Sequence, residues 1–517
     1  MNPVATTIFV ALIALVTVLG FVAARWRAGD LSQLTEWGLG GRRFGTVLTW
    51  FLLGGDLYTA YTFVAVPALV FGAGAPGFFA VPYTIIVYPL VYAVFPRLWS
   101  VAHAKNYVTA ADFVRGRFGS GTLALAIAAT GIIATMPYIA LQLVGMEVVI
   151  ASVGLPTKLA IAGFGISHLP LLVAFVALGA YTYVSGLRAP AMIAVVKDLL
   201  IYGTVIAAII VIPIELGGYG KIFASISAKN LLLAPATSTN LGPQSAYATQ
   251  ALGSALALFL YPHAITGLLS ASSRHVIRRN AVVLPAYSFA LGLIALLGFM
   301  AVAAAVKASP AYAAGFKAFG NNYAVPALFL KMFPAWFVGV AFAAIAIGAL
   351  VPAAIMSIAC ANLFTRNIWR EYVERDCAPA REARVAKLAS LIVGFGGLFF
   401  AIGLPVQYAI QLQLLGGVWI IQTLPSVLLG LYFRRLHPFA LLIGWLGGIG
   451  AGSAMAWTKA GVATTYVLHL FGAAIPCYAA LSSLLLNVFV SVVLSLVLNV
   501  VSSRVPTDAT AAEDYVS

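Results

Sequence analysis

The chain has 517 residues, of which 62% are apolar and only 8% are charged, whereas soluble domains carry about 25% charged residues. Such a chain has too little polar surface to coat a water-soluble globule, so we expect an all-α protein buried in a lipid bilayer. The net charge of +15 lies mostly in short loops between apolar segments, which favours a role in membrane topology over nucleic-acid binding.

Apolar segments long enough to cross a bilayer recur along the whole chain. The first segment precedes its arginines, as an uncleaved membrane helix does, whereas a cleaved signal peptide carries its positive charge first. No loop between segments is long enough for a soluble domain. We predict about thirteen spans. Their predicted boundaries are 4–24, 44–71, 77–99, 122–152, 168–187, 189–214, 248–271, 281–306, 333–363, 386–404, 406–433, 438–458 and 473–502.

The basic residues predict how these spans are oriented. With the N-terminus outside and a short cytoplasmic tail at residues 504–517, every arginine falls on the inner side. The tail is polar and is predicted to be disordered. Lys197 lies inside the sixth span. The lysines on the outer side are Lys158, Lys221, Lys229, Lys307, Lys317, Lys331 and Lys459.

Two of the predicted spans contain helix-breaking residues near their middle. The second span contains Gly54-Gly55-Asp56, and the seventh contains Gly253 followed by Tyr261-Pro262-His263. Because the two spans are five apart, they cross the membrane in opposite directions. Interrupted helices at matching positions of two oppositely oriented halves indicate a transporter site, and ordinary helix kinks are the alternative.

Three acidic residues, Asp56, Glu147 and Asp198, lie within spans. An ionised acid is costly in hydrocarbon, so each is expected to face the protein interior or a water-filled cavity. Asp56 predicts an ion-coupling or gating site, and a carboxylate that caps its own broken helix is the alternative. Asp198 either couples to a cation or makes a structural polar contact, and Glu147 is expected at a solvated helix end.

Lys197 and Asp198 are adjacent in the sixth span. Neighbouring residues on a helix point about 100° apart, so the two side chains are not expected to pair simply with each other. Lys197 is expected to extend toward the inner membrane surface, as long basic side chains near an interface do. Attraction of an anionic substrate or neutralisation of an acid is the alternative.

Other polar side chains within the spans are candidates for a pocket that binds a small carboxylate. Among them, a histidine can relay protons or make a structural hydrogen bond inside the protein. Lone tyrosines in spans are more often packing or interface residues. The candidates are Tyr58, Tyr61, Tyr138, Gln142, Tyr261, His263, Gln411 and Gln413.

The sequence contains no motif that predicts an enzyme. A nucleophile elbow, a Walker loop, a dinucleotide fingerprint and an HExxH pattern are all absent from it. Cys360, Cys377 and Cys477 show no spacing of a disulfide framework or a metal site. We therefore expect no cofactor. The expected partners are a small anionic solute and the lipid bilayer, with neither nucleic acid nor an obligate protein partner.

Several segments resemble the sodium:solute symporter family. LLGGDLYTAYTFVAVPALVFGAG (52–74) is similar to the family's broken first core helix, and residues 96–120 resemble its inner loop with Thr-x-x-Asp-Phe and Arg-Phe-Gly. SGLRAPAMIAVVKD (185–198) is similar to the opening of the fifth core helix, FLYPHAITGLLSASS (259–273) to the Pro-His segment, and NLFTRNIWREY (362–372) to the end of the eighth core helix. The whole looks most similar to the bacterial monocarboxylate permease branch, whose substrates include lactate, pyruvate and propionate.

The resemblance implies a single transporter domain over residues 1–503 with a five-plus-five inverted-repeat (LeuT-type) core. The first repeat would span 44–214 and the second 248–433, with one extra N-terminal helix and two extra C-terminal helices. The implied activity is cation-coupled uptake of a small monocarboxylate across the bacterial inner membrane. A symporter for another solute, such as an amino acid or acetate, is the alternative. A membrane sensor would need a signalling domain, and a lipid-modifying enzyme would need a clustered catalytic set.

The resemblance also bears on the coupling ion. The family's sodium site uses backbone carbonyls of the first core helix, which correspond here to Gly54 and Leu57. It also uses hydroxyl groups of the eighth core helix, and those positions are Val351 and Pro352, which have none.

The family's acid in the fifth core helix corresponds to Ala194, and Asp198 follows one turn later on the same face. Sodium and the proton therefore both remain candidates for the co-transported cation, with Asp56 and Asp198 as the acids that would couple to it.

Overall fold

The structure, a computed structural model, describes residues 2–26, 29–155, 158–161, 164–237, 239–403, 409–458, 461–470, 472–501 and 507–516. These residues are mostly helical, which confirms the predicted all-α class. Arg27, Lys459 and Arg504, and the first residues of the predicted span 406–433, lie outside the described residues.

Helices correspond to every predicted span, and shorter helices lie in the loops. In the first half of the chain they are α1 (Pro3–Val22), α2 (Leu34–Leu39), α3 (Thr46–Gly55), α4 (Val66–Ala73), α5 (Ala80–Ala104), α6 (Ala110–Phe118), α7 (Gly121–Val153), α8 (Leu169–Ser185), α9 (Arg188–Glu215), α10 (Tyr219–Ala224) and α11 (Ala228–Leu231). In the second half they are α12 (Gly242–Leu258), α13 (Pro262–Leu269), α14 (Arg274–Val283), α15 (Pro285–Ala303), α16 (Ala313–Phe319), α17 (Ala324–Met332), α18 (Ala335–Phe364), α19 (Pro379–Gly403), α20 (Ala409–Ile420), α21 (Leu424–Val427), α22 (Pro438–Ala456) and α23 (Ala479–Val501).

Among the described residues, three short antiparallel strand pairs occur where no strand was predicted, in loops and at the edges of two predicted spans. They are β1 (Lys158–Ile161) with β2 (Phe164–Ser167), β3 (Trp457–Thr458) with β4 (Gly461–Val462), and β5 (Thr465–Leu470) with β6 (Ala473–Tyr478). The prediction that the last span begins at 473 was therefore wrong, because residues 473–478 pair as a strand and the helix begins at Ala479.

Nine helices among the described residues are long and apolar enough to cross a membrane, and the bent pair of α12 and α13 makes a tenth. Shorter apolar helices lie at Thr46–Gly55, Tyr61–Ala73 and Leu171–Ser185, within the second and fifth predicted spans. The chain is thus a multi-pass membrane protein. The count of thirteen spans and the inverted repeat remain predictions.

Helix α18 lies at the centre of the bundle, packed against α1, α7, α9 and α19. In the most apolar stretch of α18, 94% of the residues are buried. In the corresponding stretches of α1 and α23 only 22% are buried, so these two helices lie at the periphery. Small residues allow membrane helices to approach closely. At Gly339, for example, an added Cβ would lie 2.6 Å from the Ala5 carbonyl oxygen of α1.

The loops rich in arginine meet at one end of the molecule, which we call the arginine-rich end. Burial lowers the pKa of Arg42 to about 10, and its guanidinium donates to the Tyr107 carbonyl at 2.6 Å. Similar bonds to backbone carbonyls of other loops are made by Arg97 to Leu431, Arg117 to Gly430 and Arg366 to Asn106. Loops that the positive-inside pattern assigned to one side therefore contact one another, while their orientation in the membrane remains a prediction.

Glu36 joins two arginines at this end. Its Oε1 accepts a hydrogen bond from Arg43 at 2.9 Å, and its Oε2 accepts one from Arg188, which is 1% exposed. Arg188 also donates to the Glu36 backbone carbonyl at 3.1 Å. This ion pair anchors α2 to the first turn of α9, the helix that carries Lys197 and Asp198.

The described part of the tail, residues 507–516, packs on the arginine-rich end. Asp508 pairs with the buried Arg117, Asp514 lies 3.1 Å from Lys105, and the Arg97 guanidinium stacks 4.5 Å from the Tyr515 ring centre. The predicted disorder of this segment was wrong. Its acidic residues find basic partners in loops that are distant in sequence, which composition alone does not reveal.

Replacing Glu36 with Gln should destabilise the protein strongly. Loss of the carboxylate removes a counter-charge from the buried Arg188, and breaking one partner of a buried ion pair costs about 3–5 kcal/mol. The melting temperature in detergent should fall well below that of wild type.

The control is Glu374→Gln, which removes a surface pair with Arg381 whose side chains are 29% and 62% exposed. Exposed pairs contribute about 0–1 kcal/mol. Equal shifts in the two variants would contradict the role assigned to Glu36.

The predicted orientation can be measured with single cysteines in a background without Cys360, Cys377 and Cys477. Lys229 and Arg434 are both exposed and lie on opposite predicted sides. A membrane-impermeant maleimide should label Lys229→Cys in intact cells and Arg434→Cys only after lysis. The reverse pattern would overturn the topology.

Candidate functional site

The second predicted span is interrupted as expected. Helix α3 ends at Gly55, and helical structure resumes with a π-helical turn at Tyr61–Ala65 that runs into α4. We call residues 56–60 the first break. A Cβ added at Gly55 would lie 2.9 Å from Lys197 Nζ, and one at Gly54 would collide with the Tyr287 ring. The two glycines therefore let side chains of α9 and α15 reach the backbone here.

The seventh predicted span is also interrupted. The axes of α12 and α13 differ by 49° across residues 259–261, which we call the second break. Pro262 occupies the first position of α13, where the missing amide hydrogen costs nothing. His263 follows in the first turn of α13, where backbone amides have no partner within the helix.

The two breaks meet at a cluster of polar and aromatic side chains, which we call the central cluster. His263 Nε2 lies 3.4 Å from Asp56 Oδ2. The His263 ring centre lies 5.3 Å from that of Tyr261 and 5.5 Å from that of Tyr138. The hydroxyl group of Tyr261 donates to the Gln413 carbonyl at 3.2 Å. Five of the predicted polar residues, Asp56, Tyr138, Tyr261, His263 and Gln413, are therefore neighbours.

Gln142 extends the central cluster along the first break. Its Oε1 accepts a hydrogen bond from the Ala60 amide at 3.0 Å, next to the buried Tyr61. Asp56 Oδ1, Gln142 Nε2 and His263 Nδ1 are buried and have no hydrogen-bond partner among the described residues. Buried polar atoms are normally paired, so these three atoms indicate a place for a polar ligand or water.

A second cluster lies beside the first break, and it corrects the prediction for Lys197. Both Lys197 and Asp198 are fully buried, and Lys197 Nζ lies 3.0 Å from Asp198 Oδ1. The ammonium group also donates to the carbonyl oxygen of Gly55 and, at 3.3 Å, to that of Tyr58. The 100° between adjacent positions describes only where the side chains begin, and the four-carbon stem of lysine reaches round to the carboxylate. We call this group the lysine cluster.

Tyr287 completes the lysine cluster. Its hydroxyl group donates to Asp198 Oδ2 at 2.8 Å, and its backbone carbonyl accepts a hydrogen bond from the Tyr58 hydroxyl at 2.7 Å. Sequence reasoning placed Tyr58 in the substrate pocket and overlooked Tyr287. Lys197 was detectable as the basic residue within a span, whereas nothing in the sequence distinguishes Tyr287 from other aromatic residues in spans.

Two other candidates lie away from both clusters. Gln411 accepts a hydrogen bond from the Thr464 hydroxyl at 2.9 Å and lines a cavity of about 300 Å³ with Gln250 and Asn322, at the end opposite the arginine-rich end. Glu147, expected at a solvated helix end, lies 2.6 Å from His168 and is partly buried.

The central cluster is closed toward both ends of the molecule. The cavity lined by Gln411 stops at Ala65 and Ala68 of the first broken helix. On the other side, a space of about 20 Å³ beside Pro262 and Leu363 has room for about one water molecule. Tyr138, Tyr261 and His263 are at most 3% exposed, so the central cluster itself is buried.

Comparisons with known proteins agree with this architecture. The profile of the sodium:solute symporter family matches residues 37–448. A protein of Rhizobium johnstonii named "monocarboxylate transport permease protein" is 52% identical over 96% of this chain and 97% of that relative. The "uncharacterized symporter YodF" of Bacillus subtilis is 30% identical over 96% of this chain and 93% of that relative.

Among solved structures, the substrate-bound outward-open state of a Na+-coupled sialic acid symporter is similar to the chain. The TM-score is 0.74 with 15% identity, covering 96% of this chain and 98% of the other, and at this identity the likeness shows the fold alone. The family of this chain is identified by the family profile and the full-length relatives, and not by the structural likeness. The chain therefore belongs to the sodium:solute symporter family and is a membrane symporter of a small solute, not an enzyme.

Proposed function

We propose that the chain takes up a small monocarboxylate, such as lactate, pyruvate or propionate, across the bacterial inner membrane by cation-coupled alternating access. The observation that carries the proposal is the buried central cluster, where the two breaks meet and three buried polar atoms lack partners among the described residues. The name of the Rhizobium johnstonii relative supports a monocarboxylate as the solute.

The chemistry of the second break suits an anion. The first amides of a helix point outward without partners, and the helix dipole adds partial positive charge there. In α13 this end carries His263 and lies beside Tyr138 and Tyr261. Gln142 Nε2 supplies a further donor from α7. A carboxylate bound at this end would be held by donors on both sides, while the close aromatic rings favour a small solute.

A buried central cluster between two separate spaces suits alternating access. A solute would enter through the cavity lined by Gln411 and leave past Pro262 and Leu363, with the two broken helices as the parts that move. Asp56 and Asp198 remain the acids proposed to couple the cation to closure.

An amino acid is the second candidate solute, because Asp56 Oδ1 is an acceptor that an ammonium group could use. A monocarboxylate can use that oxygen only through a hydroxyl group, which lactate has and which pyruvate and propionate lack. The two solute classes therefore make different demands on the central cluster.

Cells that express the chain should accumulate labelled lactate, pyruvate or propionate faster than cells without it, and unlabelled monocarboxylates should compete. Competition by acetate or alanine in the same panel ranks the alternative solutes. Absence of uptake for every monocarboxylate would remove the proposal, and competition by amino acids alone would favour the second candidate.

Replacing Gln142 with Leu should raise the KM for the solute about tenfold with little change in the maximal rate per folded molecule, because about one hydrogen bond to a charged group is lost. Uptake rates at varied solute concentration measure this.

The matched control is Gln422→Leu, because Gln422 is equally buried but bonds to Ser483 and Asn487 away from both breaks. This variant should lower the amount of folded protein and leave KM unchanged. A wild-type KM for Gln142→Leu would exclude Gln142 from the solute site.

A further inference from the structure

We infer that the ammonium group of Lys197 takes the place of a metal cation at the first break, so that this site needs no sodium. The inference rests on the proposed function, because uptake is one of its readouts. It concerns the lysine cluster, which stands apart from the solute donors of the central cluster.

Three oxygen atoms surround the ammonium group. Its N–H groups donate to the carbonyl oxygens of Gly55 and Tyr58, and Oδ1 of Asp198 lies 3.0 Å from Nζ as its ion-pair partner. Unwound backbone carbonyls are the ligands that broken helices offer to a coupling cation. At the first break these carbonyls already accept hydrogen bonds from the ammonium group of Lys197, a side chain of the protein itself.

The carbonyls that the family resemblance assigns to sodium are engaged differently. Gly54 accepts a hydrogen bond from the Leu57 amide at 2.9 Å, and the Leu57 carbonyl accepts one from the Thr62 hydroxyl. Both serve to shape the break. The carbonyls of the next residues, Gly55 and Tyr58, are the ones that meet a cation, and that cation is Lys197.

Helix α18 adds no side-chain oxygen to this place. It passes beside the first break at Gly348, where an added Cβ would lie 3.5 Å from the Tyr58 carbonyl oxygen. Val351 and Pro352 are buried without hydroxyl groups, and the one hydroxyl side chain within α18, Ser357, donates to the Ala353 carbonyl of its own helix. A sodium ion needs several oxygen ligands, and this wall supplies apolar atoms instead.

The charges of the lysine cluster already balance. Asp198 neutralises Lys197, and its second oxygen is held by the Tyr287 hydroxyl. The other titratable groups near the cluster are Tyr58, Tyr88, Tyr202 and Asp56, and no titratable side chain of α18 lies beside it. A sodium ion placed beside the ammonium group would be repelled by it at short range. A tethered cation also cannot cross with the solute, which favours the proton as the coupling cation.

Uptake of labelled lactate, pyruvate and propionate into proteoliposomes should be compared in sodium chloride and in choline chloride of equal ionic strength, with and without an imposed proton gradient. The rate is expected to differ by less than twofold between the salts. A tenfold or greater rise with sodium would overturn the inference and leave the proposed function intact. Absence of uptake in every condition would count against the proposed function, and melting temperatures then test the inference alone.

Wild-type protein should melt at the same temperature in both salts, because no sodium binds at the first break. Lys197→Ala leaves the carbonyls of Gly55 and Tyr58 and the carboxylate of Asp198 around an empty space, so its melting temperature should be higher in sodium chloride than in choline chloride. The matched control is Lys331→Ala, which removes another lysine bonded to a backbone carbonyl, that of Ala304, and should show no difference between the salts.

A sodium-specific rise in the wild-type melting temperature would overturn the inference. So would a folded Lys197→Ala protein that sodium does not stabilise more than choline does. If Lys197→Ala does not fold, the wild-type comparison decides the question without it.

Discussion

The buried pair of Lys197 and Asp198 is the constraint on which the rest of the site depends. An isolated charge inside a membrane protein is costly, and an unwound backbone carbonyl without a partner is costly as well. In this protein the buried charge and the unwound carbonyls stabilise each other. The ammonium group satisfies the carbonyls of Gly55 and Tyr58, while Asp198 neutralises it and is itself held by Tyr287. Helices α9 and α15 and the first break are thereby held together as one polar unit in an apolar bundle.

The two breaks are similar in position and different in chemistry. The first is stabilised by long side chains from other helices, since Lys197 binds its carbonyls and Gln142 binds the Ala60 amide. The second is stabilised by its own sequence, because Pro262 begins α13 without needing a partner for a missing amide hydrogen. One break therefore presents carbonyls to the ammonium group of Lys197, and the other presents a helix N-terminus, which suits the anionic solute that we propose. An inverted repeat with equal halves would not produce this difference, which comes from single residues.

Much of the architecture could be predicted because it depends on length and apolar character. The helical, multi-pass character, both breaks and the neighbouring positions of Asp56, Tyr138, Tyr261 and His263 follow from residue types and the family resemblance. What could not be predicted depends on contacts distant in sequence. Angular position on a helix does not describe how far the Lys197 side chain bends, and the polar tail gives no sign that Asp508 pairs with Arg117. Residues 473–478 are apolar enough to extend a span, yet their backbone pairs with β5.

The five residues of the first break connect the two clusters mechanically. Asp56 faces His263 in the central cluster, while the Tyr58 carbonyl two residues later faces Lys197 in the lysine cluster. A solute bound beside Asp56 and Gln142, as proposed, would lie against this piece of backbone, because the Ala60 amide donates to Gln142. Any displacement of residues 56–60 would change the distances from the Gly55 and Tyr58 carbonyls to the buried ammonium group of Lys197. In the proposed mechanism, solute binding and the lysine cluster would thus be coupled through one short piece of backbone, without direct contact between the two sites.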